Sequence, residues 1–336
     1  MNFYRVFMHC LASPCPLWHA TSAADCGANS PDIQLDLAPT EAEAHEWEPL
    51  PWSVIREQAG ADWHLSLAVA PPGSEAALRL STRRQDDRLT VIFGSNAERI
   101  VGRWQRHRQD DEQFRRELSA WMLGSVLGYA MCLRGLPTLH GSVVEINGQA
   151  VGLLGGSGQG KSTLAAALLT AGCAMLADDQ LVVRRANERQ EQDKWYALPG
   201  PPRLRLWPSS FGVLDRQAPL ISTWADDEGK QHIEPAIEAY CAEPRPLAAI
   251  YVLMPREYAR REAATEELSP AAALNALMKQ RFCTAPLNST YTAASLTALS
   301  ELAQQTRVRL LYRPEGLESL ASVVAAVQGN LDHDDQ

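Results

Sequence analysis

The chain has 336 residues, a formal net charge of −9, 46% hydrophobic residues and 21% charged residues. That length allows two ordinary domains, each with its own core, and the composition is globular, without collagen-like or low-complexity bias. The acidic balance argues against a broad electrostatic grip on nucleic acid or an anionic membrane, while leaving room for a local basic pocket.

The N-terminal stretch MNFYRVFMHCLASPCPLW places apolar residues after Arg5. His9, Pro14 and Pro16 break the run before a signal-peptide core can form, and Pro14 spoils the lipoprotein-like LASPC. Seven cysteines (Cys10, Cys15, Cys26, Cys132, Cys173, Cys241 and Cys283) are scattered without a C-x-x-C pair. Neither a disulfide framework nor structural zinc is expected, and a reducing cytoplasm is the compartment that fits.

Residues 1–110 show short β-like runs between turn residues: FYRVFMHCLA, DIQLDLA, HLSLAVA, LRLST and LTVIFG. The acidic, Ala- and Pro-rich stretch from Ser30 to Trp52 reads as loop. No catalytic motif occurs here, so a smaller β-rich N-terminal domain for docking or support is expected.

Residues 111–336 read as a separate α/β domain. DEQFRRELSAWMLGSVLGYAMCLRG is a helix with acidic residues first and Arg134-Gly135 last. Its apolar part, Ala120 to Leu133, is too short to span a bilayer. LHGSVVEINGQAVGLLGG gives two strands about an Asn147-Gly148 turn. QLVVRR, WYALPG, PLAAIYVLMPR and RVRLLYR read as further strands, and ANERQEQDK as a charged loop. SPAAALNALMKQRF, AASLTALSELAQQT and GLESLASVVAAVQ read as helices, and the acidic tail DHDDQ is expected to fray.

The clearest chemistry lies in Gly155-Gly156-Ser157-Gly158-Gln159-Gly160-Lys161-Ser162, followed by Thr163. This matches G-x-x-x-x-G-K-S/T, with an apolar strand before it and a helix after it. Glycines let the backbone curl so that successive N–H groups face phosphate oxygens, and the helix N-terminus adds partial positive charge. Lys161 would reach the β- and γ-phosphates, and the Ser162 hydroxyl would ligate magnesium.

Asp178 and Asp179 follow closely, and simple lengths say where they land. The helix from Ser162 to Ala171 descends about 15 Å at about 1.5 Å per residue, and Gly172 is placed to end it. CAMLA then climbs about 16 Å back as a parallel strand at about 3.3 Å per residue. The aspartates return to the edge of the sheet that holds the phosphate loop. Alone, an Asp-Asp pair after a strand opens a turn. Beside a triphosphate, two carboxylates call for a cation: one can hold magnesium and the other can accept a proton from an attacking hydroxyl. Neighbouring strand residues point to opposite sides, so the two need not share a role.

LHGSVVEINGQAVGLLGGSGQGKSTLAAALLTAGCAMLADDQLVV resembles the catalytic domain of HPr kinase/phosphorylase, which has His-Gly before the strand, the phosphate loop, one helix and then ADD. LPGPPRLRLWPSS, RVRLLYRPEGLESLASVVAAV and the opening FYRVFMHCLAS resemble HPr-kinase-related proteins, including those that phosphorylate serines in lasso-peptide precursors. The resemblance implies a P-loop fold of the HPr-kinase C-terminal, PEP-carboxykinase-like type, with ATP held by Gly155 to Thr163 and Mg2+ by Ser162 and Asp178. It implies Asp179 as the base and Lys161 on the phosphates. His140 matches the family's histidine; it either orients a carboxylate or makes a structural hydrogen bond. The chain lacks a PGRN-like C-terminal segment, so reverse phosphorylase activity is not expected.

Arg203 and Arg205 lie two apart and share a face if their segment is a strand, as phosphate-binding guanidiniums would. Lys230, in DDEGKQH, sits on a loop that can close over substrate. Each is otherwise a solvated surface charge. Tryptophans such as Trp121 and Trp207 are expected as core anchors. Three functions fit: a kinase for a serine on a peptide or small protein, a kinase for a free hydroxy amino acid, or a nucleotide-gated binder without turnover. An ABC-type ATPase is disfavoured because LSGGQ is missing, and a DNA motor because helicase motifs and positive charge are missing. The expected partner is a serine-bearing acceptor rather than nucleic acid or membrane, and a homo-oligomer stays open.

Overall fold

The computed structural model describes all residues except 24–30, 41–44, 61–62, 85, 107–110, 187–193, 214–219, 227–228, 285–288 and 335–336. The fold is mixed α/β, with several sheets and few helices. The chain divides into two units, Met1–Leu136 with Cys283–Ala294, and Pro137–Phe282 with Ser295–Gln336.

In the first unit, the run FYRVFMHCLA splits into β1 (Asn2–Val6) and β2 (His9–Ser13). Phe7 and Met8 turn the chain with φ of 49° and 63°, a conformation that hairpin sequences usually announce with Asn or Gly. β3 (Thr21–Ser22), β4 (Ile33–Pro39), β5 (Ser53–Ala59), β6 (Trp63–Val69), β7 (Ala76–Arg84), β8 (Asp87–Gly94) and β9 (Arg99–Gln105) follow. They form one nine-stranded sheet in the order β3-β1-β2-β4-β9-β8-β7-β6-β5. Leu67, Leu78, Leu80, Val91, Phe93 and Ile100 are fully buried in it. β5 and β9 escape a reading by hydrophobic alternation because charged and small residues interrupt SVIREQA and RIVGRWQ.

The expected helix is present as α1 (Asp111–Trp121), a π-turn over Met122–Val126, and α2 (Leu127–Leu133). It belongs to the first unit, so the division falls after Leu136 rather than at residue 110. The cause is packing. Trp104 and Phe114 are in ring contact, Phe93 meets Tyr129 edge-on, and the Ser119 hydroxyl donates to the Trp18 carbonyl. Cys10 is disulfide-bonded, contrary to the expectation from scattered cysteines; spacing along the chain does not measure separation in a folded sheet. Cys15, Cys132, Cys173, Cys241 and Cys283 are free thiols. Among the described residues no helix is long and apolar enough to cross a membrane.

The second unit begins with β10 (Thr138–Leu139), β11 (Gly141–Ile146) and β12 (Gln149–Leu154). β11 and β12 form the expected hairpin, with Asn147 and Gly148 at φ of 53° and 80°. α3 (Lys161–Thr170) and β13 (Ala174–Ala177) follow, with Gly172 at φ 90° between them. Then come β14 (Leu181–Arg185), β15 (Trp195–Ala197), β16 (Leu204–Leu206), β17 (Leu220–Ala225) and β18 (Gln231–Pro235). β19 (Arg245–Glu257), β20 (Ala264–Glu267), α4 (Pro270–Lys279), the part of α5 (Ser289–Gln305) from Ser295 onward, β21 (Arg307–Pro314) and α6 (Leu320–Asp334) complete it. The charged loop at 187–193 lies outside the described residues. α6 continues through the first residues of the tail that was expected to fray.

The main sheet runs β10-β14-β15-β19-β12-β11-β13, with β12 and β21 parallel to β19. β13 runs in the same direction as β12, as expected, but bonds antiparallel to β11 instead of pairing with β12. Alternate side chains feed two cores. Val151, Leu153, Tyr251 and Leu253 meet α3 and α6 on one face, and Ala150, Leu154 and Ile250 meet α4 and α5 on the other. Cover on both faces explains why QAVGLL and PLAAIYVL read as nearly unbroken apolar runs.

Gly141 shows how tightly β11 is set. A Cβ there would lie 2.7 Å from the Leu153 carbonyl oxygen and would also press on Leu154 Cδ2. Gly141→Ala is expected to cost about 1–3 kcal/mol, since backbone must shift, and thermal unfolding of the full chain measures it.

Candidate functional site

β12 ends at Leu154 and α3 begins at Lys161, with Gly155–Gly160 as the connecting loop. Gly160 precedes α3 in the left-handed region, φ 82°, where a side chain would be strained. A Cβ there would also stand 3.0 Å from Arg256 Nη2. The Gly156 N–H donates to Gln159 Oε1 at 2.8 Å, closing the loop on itself. Lys161 is buried and its ammonium donates to the carbonyls of Gly155 (2.9 Å) and Gly156 (3.1 Å). Burial pulls its pKa down, opposed by Asp178 and Asp179.

The aspartates do return to the loop. Asp178 Oδ1 accepts from the hydroxyls of Ser162 (2.9 Å) and Ser142 (2.5 Å), and its Oδ2 accepts from the Arg205 N–H (3.1 Å). Asp179 is separated from it by backbone, not by strand alternation: the residue is left-handed, φ 67°. The Asp179 carbonyl accepts from the Gly141 N–H (3.3 Å) and lies 3.0 Å from His140 Nδ1, which donates to it. His140 therefore fixes backbone at the aspartate pair. Burial, followed by the neighbouring charge of Lys161, lowers its pKa.

The environment splits the pair. Burial, followed by the charge of Asp179, pushes the Asp178 carboxyl up, against the hydrogen bonds from Ser142, Arg205 and Ser162. Burial also acts upward on Asp179, but Arg205, Arg203, His140 and Lys230 outweigh it and bring its pKa below the usual value. Asp179 is thus the more acidic carboxyl of the pair.

Arg203 and Arg205 flank Leu204 at the start of β16. Arg203 is 3% exposed; burial draws its pKa to about 10, so it remains a cation. Arg205 Nη2 meets Asp226 Oδ2 at 2.6 Å, and His232 Nε2 stands 3.1 Å from the same oxygen. Despite burial, those bonds from His232 and Arg205 hold Asp226 well below the carboxylate range. The Lys230 N–H donates to Asp226 Oδ1 at 3.0 Å, and its ammonium lies 5.1 Å from the centre of the Trp207 ring. Residues 227–228 of DDEGKQH lie outside the described residues.

A cavity of about 340 Å³ joins these groups. His140, Lys161, Asp179, Arg205, Lys230 and Arg256 are among its lining residues, all within the second unit. Arg203 does not line it. Trp207 does, and is 45% exposed, so it is a wall of the cavity and not the core anchor expected of it. Trp121 is half-buried.

Ser142, Asp226, His232, Arg256 and Arg313 were not legible as site residues. Only the register of β11 puts Ser142 under Asp178. Asp226 and His232 meet Arg205 through the three-stranded sheet β16-β18-β17, a pairing that no motif announces.

Among the described residues, no group of three or more His, Cys, Asp and Glu side chains could hold a metal. The converging hydroxyl of Ser162 and carboxylate of Asp178 are instead a two-oxygen set. That suits Mg2+, which keeps several waters and takes phosphate oxygens alongside one or two protein ligands. The residues fit the cation.

No family model matches the chain, and no curated protein matches it. A solved structure is similar. It is the Hpr(Ser) kinase/phosphatase from Coxiella burnetii, 14% identical, with a TM-score of 0.31 over 59% of this chain and 99% of that one.

Proposed function

We propose that this chain is an ATP- and Mg2+-dependent kinase of HPr-kinase-like type that transfers the γ-phosphate to a serine hydroxyl of a peptide or small protein. The observation that carries the reading is the meeting of Ser162 with Asp178 beside the phosphate loop, with an ionised Asp179 lining the same cavity. Backbone N–H groups of Gly155 to Thr163 and the Lys161 ammonium would bind the phosphate chain. Ser162 and Asp178 would hold Mg2+, which neutralises charge on the phosphates when bound. Asp179 would accept the proton of the attacking hydroxyl. Arg205 and Lys230 would orient the reacting groups, and Trp207 would wall off water.

A ribosomal peptide precursor, of the lasso type, is the acceptor class that the sequence resemblance suggests. The second reading is a kinase for a free hydroxy amino acid. The small cavity, about 340 Å³, favours it, since an acceptor seated inside would have to be small. The test offers γ-labelled ATP and Mg2+ with serine peptides, including precursors encoded beside this gene, and with free serine. Label on a peptide serine is the expected result. Label on free serine alone would move the chain to the second reading. Nucleotide binding with neither labelled would point to a binder without turnover.

A further inference from the structure

We propose that Arg256 contacts the phosphate chain of the bound ligand, as an additional binding residue outside the phosphate-loop motif. This rests on the MgATP reading and extends it to a residue from the far side of the loop. β12, β19 and β21 run parallel, so the C-terminal end of β19 emerges on the edge where β12 passes into the loop. Arg256 stands at that end, in register with Arg313 of β21. It is exposed, lines the cavity, and brings Nη2 to 3.0 Å from where a Cβ on Gly160 would be.

Arg313 fixes this geometry from below. It is 4% exposed, and it donates through Nη1 to the Gln159 carbonyl and through Nη2 to the Met254 carbonyl, both at 2.8 Å. One guanidinium thus ties the phosphate loop to β19, two residues before Arg256. Burial, followed by the charge of Arg256, draws the Arg313 pKa to about 10, so Arg313 remains a cation at neutral pH. Among the described residues neither forms an ion pair with a carboxylate.

Two guanidiniums and Lys161 therefore gather at the N-terminus of α3, where the helix dipole already makes positive charge unfavourable. Arg205, by contrast, is engaged with Asp226. A cluster of cations held at a helix N-terminus is compensated by a polyanion, and the loop geometry selects a phosphate chain. Arg256 keeps its forked donors available at that place.

Binding of MgATP and of Mg-tripolyphosphate to the full chain, measured by calorimetry, tests this in wild type, Arg256→Ala and Arg256→Lys. Arg256→Ala should weaken both ligands by about tenfold or more, the value of a charge-assisted contact. Arg256→Lys should recover part of the loss, because an ammonium restores charge but not the fork. Arg256 is exposed, so the unliganded unfolding temperature should not change. Alanine-variant affinities within twofold of wild type would overturn the inference and leave the phosphate-loop reading standing. Failure of wild type to bind either ligand would overturn both.

Discussion

Asp179→Asn is expected to slow phosphoryl transfer by about 10³-fold, within the range for loss of a general base, while MgATP affinity stays within a few fold. Asparagine keeps the shape of the side chain but cannot take a proton at neutral pH. It also tolerates the left-handed conformation that residue 179 adopts at φ 67°. The backbone carbonyl should therefore keep its bonds from Gly141 and His140. The neighbours that hold Asp179 ionised, Arg205, Arg203, His140 and Lys230, lose a counter-charge, which favours the anionic nucleotide if it changes affinity at all. Single-turnover transfer and equilibrium binding, measured on one preparation, separate the two effects. A variant transferring within tenfold of wild type would remove Asp179 from the base role.

Lys161→Ala should lower MgATP affinity by about 100-fold, the order expected for truncating one partner of a buried charge pair. Lys161 is 7% exposed, and its ammonium bonds two carbonyls of the loop that would receive the phosphates. Alanine removes the cation and also the brace, leaving those carbonyls to repel the anion. Calorimetric titration at fixed Mg2+ measures the loss. Affinity unchanged in this variant would mean that the phosphates are bound somewhere else.

Residues whose position follows from local periodicity and turn chemistry were legible from the sequence. The hairpin at Asn147-Gly148, the strand–loop–helix around Lys161 and the length-matched return from Gly172 to Asp178 are of this kind. They return Asp178 and Asp179 to the sheet edge that holds the loop; the pairing of Asp178 with Ser162 is what the family resemblance adds. What was not legible depends on sheet register and long-range pairing. Ser142 lies thirty-six residues before Asp178, and Arg313 reaches Gln159 across 154 residues. Helix α1 carried no signal for which unit it joins, because that is decided by contacts such as Trp104 with Phe114. Trp207 was misplaced because a tryptophan between a strand and Pro208 has the composition of a core residue. It stands between β16 and the 3-10 turn Pro208–Val213, on the wall of the cavity.

We propose a division of labour between the two carboxylates, with Asp178 at the cation and Asp179 at the proton. A crystal structure with a non-hydrolysable ATP analogue and Mn2+ tests it most directly, through the anomalous peak. The expected result is the phosphate chain along Gly155–Ser162, the peak within bonding distance of Ser162 Oγ and Asp178, and the Asp179 carboxylate facing the terminal phosphate without binding the metal. A peak bonded to Asp179 in place of Asp178, or phosphates lying outside this cavity, would contradict it.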